Sequence, residues 1–268
     1  MPPVAIVDFN LENDCPDIKK PIPITLSPFK EITICLKFTF KFLKPTRLFY
    51  IRYFSEKNSK NSTLLGIYFK NFETKYGFLK YNGINYLFQW SNHNIKPDVW
   101  QKICISITNL QIYIVMNGEK ISNETISITN NMNKEITSAN LWLGSDNIRK
   151  FGSNGLGYFV FEGSISNVYI WSQHLKISEL ISITNSCSLI HTPKPDLLTW
   201  NYYVNSLVSP CLEYHYKNEE FCKGVIPSRI HIIENKTNFD NANYLCQAYG
   251  ANFRFQKIKL KLHFWHHS

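Results

Sequence analysis

The acidic residues in the middle of this chain stand apart from one another. Glu73, Asp98, Glu119, Glu124, Glu135, Asp146 and Glu162 each lack a second carboxylate within two positions. Glycoside hydrolysis needs two carboxyl groups about 5 to 9.5 Å apart, and no strand here carries the alternating E-x-D-x-x-E run that would supply them. Neither G-x-S-x-G nor HExxH occurs, so the common signatures of a serine nucleophile and a zinc hydrolase are missing. Gly152-Ser-Asn-Gly155-Leu-Gly157 has no following Lys-Ser/Thr and reads as a loop, not a phosphate cradle. His263, His266 and His267 have no Asp, Glu or Cys beside them, which makes a chain tail the better reading than a metal site. The residues left with chemistry suited to recognition are Asp146, Asn147, Asn154 and Tyr158 in the loop Asp146–Tyr158. They offer hydrogen bonds and one aromatic stacking surface.

The seven cysteines are Cys15, Cys35, Cys104, Cys187, Cys211, Cys222 and Cys246. None forms a CxxC and no His stands at zinc-ligand spacing from a Cys pair, so disulfides are expected, and with them an oxidising compartment. Sequons at Asn61, Asn123 and Asn235 agree with that setting. The start, MPPVAIVDFN, lacks a basic region and a long apolar run, so a secretory leader would lie outside this chain. No segment reaches the ~20 apolar residues of a membrane span.

A chain of 268 residues with 15% aromatics and 18% charged side chains must be mostly folded. Its formal charge of +9 comes from scattered lysines with no nucleic-acid-binding motif among them, so no nucleic-acid partner is expected. Residues 11–30, with Pro16, Pro21, Pro23 and Pro28, read as an irregular lead-in. The clearest strand is Ile32–Phe42: every even position is apolar, and the odd ones are Thr33, Cys35, Lys37, Thr39 and Lys41. One face is expected in the core and the other in solvent. Further strands are predicted at Leu48–Phe54, Leu64–Phe69, Gly77–Lys80, Tyr86–Trp90, Trp100–Thr108, Leu110–Met116, Leu141–Leu143 and Phe159–Trp171, with a hairpin turn at Asn117-Gly118. Many short strands without interleaved amphipathic helices predict an all-β sandwich. Cys35 and Cys104 both sit on the polar face of such a strand, so if the two strands are neighbours their sulfurs can bridge. Cys15 and Cys187 flank the whole strand set, which suggests a second bridge between the ends of the domain.

Leu141-Trp-Leu-Gly144, a Gly-rich loop, then Phe161-Glu-Gly-Ser-Ile-Ser-Asn-Val-Tyr-Ile-Trp171 and a short helical spacing ending at Cys187 resemble the C-terminal signature of pentraxin-like, laminin-G-like lectin domains. The resemblance spans about residues 5–190 and implies a jelly-roll β-sandwich of the concanavalin A type. It also implies the Cys35–Cys104 bridge, a core closed by Trp171, and a short helix at Ser178–Thr184 covering an open end. The family's HxCxxW is replaced by Lys102-Ile-Cys104-Ile-Ser-Ile107. Pentraxins bind phosphorylated and sugar ligands through paired calcium ions, and calcium takes six to eight oxygens. The acidic cluster maps onto Ser145-Asp146-Asn147-Ile148 and the upstream Asp-Asn pair falls near Lys60-Asn61. The calcium site therefore reads as degraded, with Asp146 and Asn147 its weak remaining candidates, and no other cofactor or metal is implied.

His191–Pro195 begins a linker, placed at 191–205. Beyond it, Cys211 and Cys222 enclose ten residues, and Phe239–Ala251 has the helical pattern F-x2-A-x3-C-x3-G-A. Residues 206–268 thus resemble the start of a C-type lectin domain, which implies a small, incomplete α+β segment, a Cys211–Cys222 bridge and an unpaired Cys246. The sugar-binding Glu-Pro-Asn and Trp-Asn-Asp motifs of that family are absent.

The functional expectation is a non-catalytic extracellular module, secreted or part of a cell-surface ectodomain, that binds glycans or extracellular protein surfaces. Two alternatives stay open: a purely structural or adhesive segment of a larger receptor or matrix protein, and a degenerate glucanase-like enzyme.

Overall fold

The computed structural model describes residues 4–9, 21–25, 31–55, 60–90, 95–108, 110–125, 138–144, 161–186, 193–206 and 212–215. In chain order the strands are β1 (Val4–Phe9), β2 (Ile22–Thr25), β3 (Ile32–Phe40), β4 (Thr46–Ser55), β5 (Lys60–Asn71), β6 (Tyr76–Tyr81), β7 (Ile84–Gln89), β8 (Gln101–Ile107), β9 (Gln111–Met116), β10 (Glu119–Thr125), β11 (Ser138–Leu143) and β12 (Gly163–Trp171). Helices α1 (Ile177–Asn185) and α2 (Trp200–Ser206) and strand β13 (Leu212–His215) follow. A seven-stranded sheet runs β10-β9-β8-β3-β12-β1-β13, and a six-stranded sheet runs β2-β11-β4-β5-β6-β7. All pairings are antiparallel. The architecture is the two-layer jelly-roll sandwich that the strand pattern and the family resemblance imply.

Between the layers, the even-numbered side chains of β3 meet the inward residues of β4, β5 and β11. Phe40 packs edge-on against Phe69 and Phe72, with ring centroids 5.2 Å apart in both pairs, and Trp90 meets Phe69 at 5.1 Å. Edge-to-face aromatic pairs of this kind each add roughly 0.5–1.5 kcal/mol beyond the apolar area they bury.

The odd face of β3 departs from expectation. Thr33, Cys35, Lys37 and Thr39 are all buried, not solvated, because a second layer lies over the outside of the seven-stranded sheet. Helix α1 packs on β8, β9 and β10, so it covers that face and not an open end of the sandwich. The backbone N–H of Lys176 donates to Glu179 Oε2 at 2.7 Å, which fixes the start of the helix. Gly118 N donates to Thr184 Oγ1 at 3.1 Å and ties the Asn117-Gly118 hairpin to its last turn. Cys35 and Cys104 stand directly opposite each other in the β3–β8 register and form the disulfide beneath this cover.

Strand β12 is buried on both faces through a bulge. Ser166 pairs with Lys37 and Tyr169 with Cys35, so one extra residue lies between them, and Asn167 takes a positive φ of 53°. Past the bulge the parity of the strand switches, which puts Tyr169 and Trp171 on the outer face beside Cys35 and Thr33. Trp171 therefore seals the outer layer, not the space between the sheets, and its Nε1 donates to Pro193 O at 2.8 Å.

The described part of 191–205, read from its prolines as a linker, belongs to this outer layer. Ile170 N donates to Leu198 O at 3.0 Å and Leu197 N to Ile170 O at 3.1 Å, while Trp200, Tyr203 and Val204 of α2 are buried. HTPKP signals irregular backbone, but the residues after it form a bridge at the edge of the seven-stranded sheet, Leu198 beside Ile170. Beyond α2, β13 pairs with β1 at the edge of the same sheet, Val4 opposite His215. The rest of the expected C-type-lectin-like segment lies outside the described residues, including Cys211, Cys222 and Cys246. Cys15 and Cys187 lie outside them too.

Candidate functional site

The loop residues Asp146, Asn147, Asn154 and Tyr158 are outside the described residues, but both ends of their loop are placed. Gly144, at φ 70°, ends β11, and its N–H donates to Leu48 O at 2.8 Å. A Cβ there would also stand 2.9 Å from the Phe9 ring, so turn and packing both require glycine. The loop returns at Phe161, whose ring meets Phe9 edge-on at 5.5 Å. Beside it, Lys44 pairs with the buried carboxylate of Glu162. The loop thus leaves and re-enters at the rim where β4 begins. Asn61 and Asn123 lie in β5 and β10, opposite Phe54 and Tyr113; Asn235 is outside the described residues.

From that rim the outer face of the six-stranded sheet extends, and neither helix packs on it. Strand register orders its side chains into rows. Trp142, Tyr50, Gly66, Lys80 and Asn85 lie across β11, β4, β5, β6 and β7. Arg47, Tyr68, Phe78 and Leu87 form the next row, and Asn140, Arg52 and Thr63 the row on the other side. Trp142 stacks on Tyr50 with centroids 5.8 Å apart and planes 13° from parallel. Arg47 and Arg52 both lie over the Tyr50 ring, at 4.9 and 4.6 Å, and Arg47 also sits 4.7 Å from the Tyr68 centroid. Lys70 lies 5.4 Å from the Phe78 ring. Gly66 has no side chain where a Cβ would come within 3.1 Å of Tyr50 Cβ, and this gap lets the tyrosine lie flat between the arginines. Tyr50 is wholly buried among these neighbours and Arg47 Nε is buried as well, so the stack serves to hold each guanidinium plane in place.

Sequence reasoning missed this face because of one residue. Arg47 and Tyr50 are three apart, so simple alternation puts them on opposite faces. Leu48 is an extra residue in β4, since Arg47 pairs with Tyr68 and Phe49 with Ile67. That bulge turns Arg47, Tyr50 and Arg52 to the same side. A signal was present: the strands of the six-stranded sheet contain Arg47, Arg52, Lys60, Lys70 and Lys80 and no Asp or Glu.

Two other clusters could do chemistry. Ser106 Oγ lies 2.7 Å from His174 Nδ1, the geometry of an activated hydroxyl. The hydroxyl is wholly buried, shares a hydrogen bond with Thr33 Oγ1 at 2.8 Å and accepts one from Leu175 N at 3.2 Å. It works as a strut that pins residues 173–175 to the sheet. The second cluster joins Lys37 and Lys102 beneath α1, around a cavity of about 10 Å³ lined also by Asn167, Tyr169, Ile183 and Thr184. Burial, with the Lys102 charge adding to it, lowers the Lys37 pKa to about 7. Lys102, lowered by burial, donates to Ser186 O at the C-terminus of α1 at 3.1 Å and offsets the negative end of that helix.

Among the described residues no group of three or more His, Cys, Asp or Glu could hold a metal ion. The upstream position of the expected site falls at the start of β5, at Lys60, a cation. No helix among the described residues is long and apolar enough to cross a membrane.

No curated protein matches the chain. Among solved structures, the native heptameric SAP-like pentraxin from Limulus polyphemus is similar with a TM-score of 0.57 at 14% identity, over 82% of this chain and 97% of that one. The CBM40 of the Ruminococcus gnavus IT-sialidase, bound to α2,3-sialyllactose, follows at TM-score 0.43 and 16% identity over 69% of this chain and 94% of that one. A Trypanosoma rangeli sialidase gives TM-score 0.43 at 11% identity over 59% of this chain and 23% of that one. At these identities the pentraxin shares the fold, and the two sialidase structures carry no argument. The family model of the pentaxins matches residues 12–208, a span that takes in both sheets apart from β1 and β13 and the whole of the outer layer formed by α1 and 193–206, and on that match the chain belongs to the Pentaxin family.

Proposed function

We propose that this chain is a non-catalytic extracellular recognition module that binds glycans or protein surfaces. The observation that carries the reading is the outer face of the six-stranded sheet, where Trp142, Tyr68 and Phe78 stand half-buried in rows set by strand register. Flat aromatic surfaces with adjacent polar groups suit the apolar face of a sugar ring. Membership of the Pentaxin family and the Cys35–Cys104 disulfide, which belongs to oxidising compartments, support an extracellular ligand. On this reading Asp146, Asn147, Asn154 and Tyr158 contribute contacts to the ligand, and residues 206–268 supply the start of a second, C-type-lectin-like unit.

A glycan array probed with the whole chain, with and without EDTA, tests the reading. Binding to a defined glycan class, reduced about tenfold by Trp142→Ala through loss of one stacking surface, is the expected result. No binding to any glycan, together with no retained partner from an extracellular-matrix protein panel, would leave a purely structural segment.

A further inference from the structure

We propose that β7 is the joint between two copies of this chain, the edge of one six-stranded sheet pairing antiparallel with the same edge of a second copy about a two-fold axis at Leu87. This goes beyond the recognition reading and does not rest on it. β7 ends its sheet, and no strand among the described residues pairs with its far side. Its near side is fixed by the turn Asn82-Gly83, at φ 46° and 85°, which lays β7 on β6 without a register shift. Just past the ladder, Trp90 N donates to Lys75 O at 3.1 Å. The even-numbered residues of β7 therefore bond to β6, while Asn85, Leu87 and Gln89 turn their N–H and C=O groups to the open edge. All three are exposed.

The other three sheet edges are guarded. β2 is four residues long and contains Pro23. β10 carries Glu119, Lys120 and Glu124 and a register shift between Lys120 and Ser122. β13 is four residues long, with Glu213 and His215. Short length, proline, charge and irregularity are the means by which edge strands avoid pairing with another chain. The six residues of β7, INYLFQ, show none of them. Of the four large hydrophobic side chains exposed among the described residues, two belong to this strand, Ile84 at 41% and Leu87 at 48%. A second copy is favoured as the occupant because the strand complements itself. With Leu87 opposite Leu87, Asn85 of each copy faces Gln89 of the other, amide against amide, each able to donate and accept. The strand is neutral, so its own copy brings no like charge against it, and a charged peptide finds nothing there to select it. The axis stands perpendicular to the sheet and doubles it to twelve strands, with both outer faces on one side.

The test is sedimentation velocity of the whole chain, any free thiol alkylated, from about 1 to 300 μM, a range suited to a small interface built on one strand pair. A reversible dimer is expected, half formed at roughly tens of micromolar. Leu87→Lys sets a cation on the axis against its own copy and should weaken association about tenfold or more. Leu110→Lys, at an exposed leucine in the turn between β8 and β9, should leave it unchanged. Should Leu87→Lys not fold, the unaltered chain still answers: hydrogen exchange read residue by residue should slow at the amides of Asn85, Leu87 and Gln89 as concentration rises. Monomeric behaviour throughout would leave the edge to a strand of a different protein and overturn the proposal. A dimer that Leu87→Lys does not weaken would overturn it too. So would protection of the three amides at every concentration, which would show the edge covered from within the chain.

Discussion

Lys37→Met should make the protein more stable at neutral pH, and by an amount that vanishes in alkali. Lys37 is 4% exposed, beneath α1 and beside the Cys35–Cys104 disulfide. The adjoining cavity of about 10 Å³ holds at most one water. Its pKa falls from 10.5 to about 7 through burial, with the Lys102 charge adding to it. Between those two values the unfolded chain binds a proton that the folded chain does not, so stability rises with pH across that window. Below about pH 7 both states are protonated and the full penalty applies. At about 1.4 kcal/mol per pH unit, the penalty is roughly 3 to 5 kcal/mol. Methionine keeps the length and apolar stem without the charge, so it should add up to about 3 kcal/mol at pH 7 once the contacts of the ammonium group are lost. Urea denaturation at half-unit steps from pH 6.5 to 9.5, followed by tryptophan fluorescence, measures this. The wild-type midpoint should climb with pH, and that of the variant should climb much less, with a remainder from Lys102, whose pKa burial also lowers. Parallel curves for the two proteins would refute the argument, as would a variant that is less stable at every pH.

At the alkaline end the sign reverses. Burial raises the pKa of Tyr81 and Tyr169 to about 12 and that of Tyr203 further, so their contribution holds below the unfolded value of about 10 and is lost as pH rises through the folded values. Stability should peak near pH 9 to 10, and an ultraviolet titration should show these phenols ionising late and together with unfolding. Replacing Cys35 and Cys104 by valine opens a loop with a sequence separation of 69 and should cost about 4 kcal/mol by the chain-entropy relation, seen as a lower thermal midpoint. Trp200→Ala, in the segment whose prolines suggest a linker, should cost about 3–5 kcal/mol as a core residue does; an effect under 0.5 kcal/mol would show that 193–206 is dispensable to the sandwich.

Much of the fold can be read from alternation. Ile32–Phe40 announces a strand because a two-residue period is a local property of the chain, and polar-face placement lets Cys35 and Cys104 bridge once their strands are neighbours, as β3 and β8 are. Even the bulge in β12 leaves a trace: the apolar positions pass from Ile165 to Val168 and Ile170, an odd-to-even switch at Asn167. The outer layer is less legible. Thr33, Cys35 and Thr39 look like a solvated face because small, weakly polar residues are neutral between water and a cover that can bond them. Only the return of α1 and residues 193–206 decides that they are buried.

The outer face of the six-stranded sheet divides in the same way. The sequence by itself determines that the strands of one sheet carry basic and aromatic residues with no acid among them, since composition needs no geometry. Whether Arg47 joins Tyr50 and Arg52 depends on Leu48 bulging out of the β4–β5 ladder, and a bulge exists only in relation to a partner strand. Local pattern fixes what each strand can offer, and cross-strand register, which only the assembled sheet supplies, fixes which offers meet.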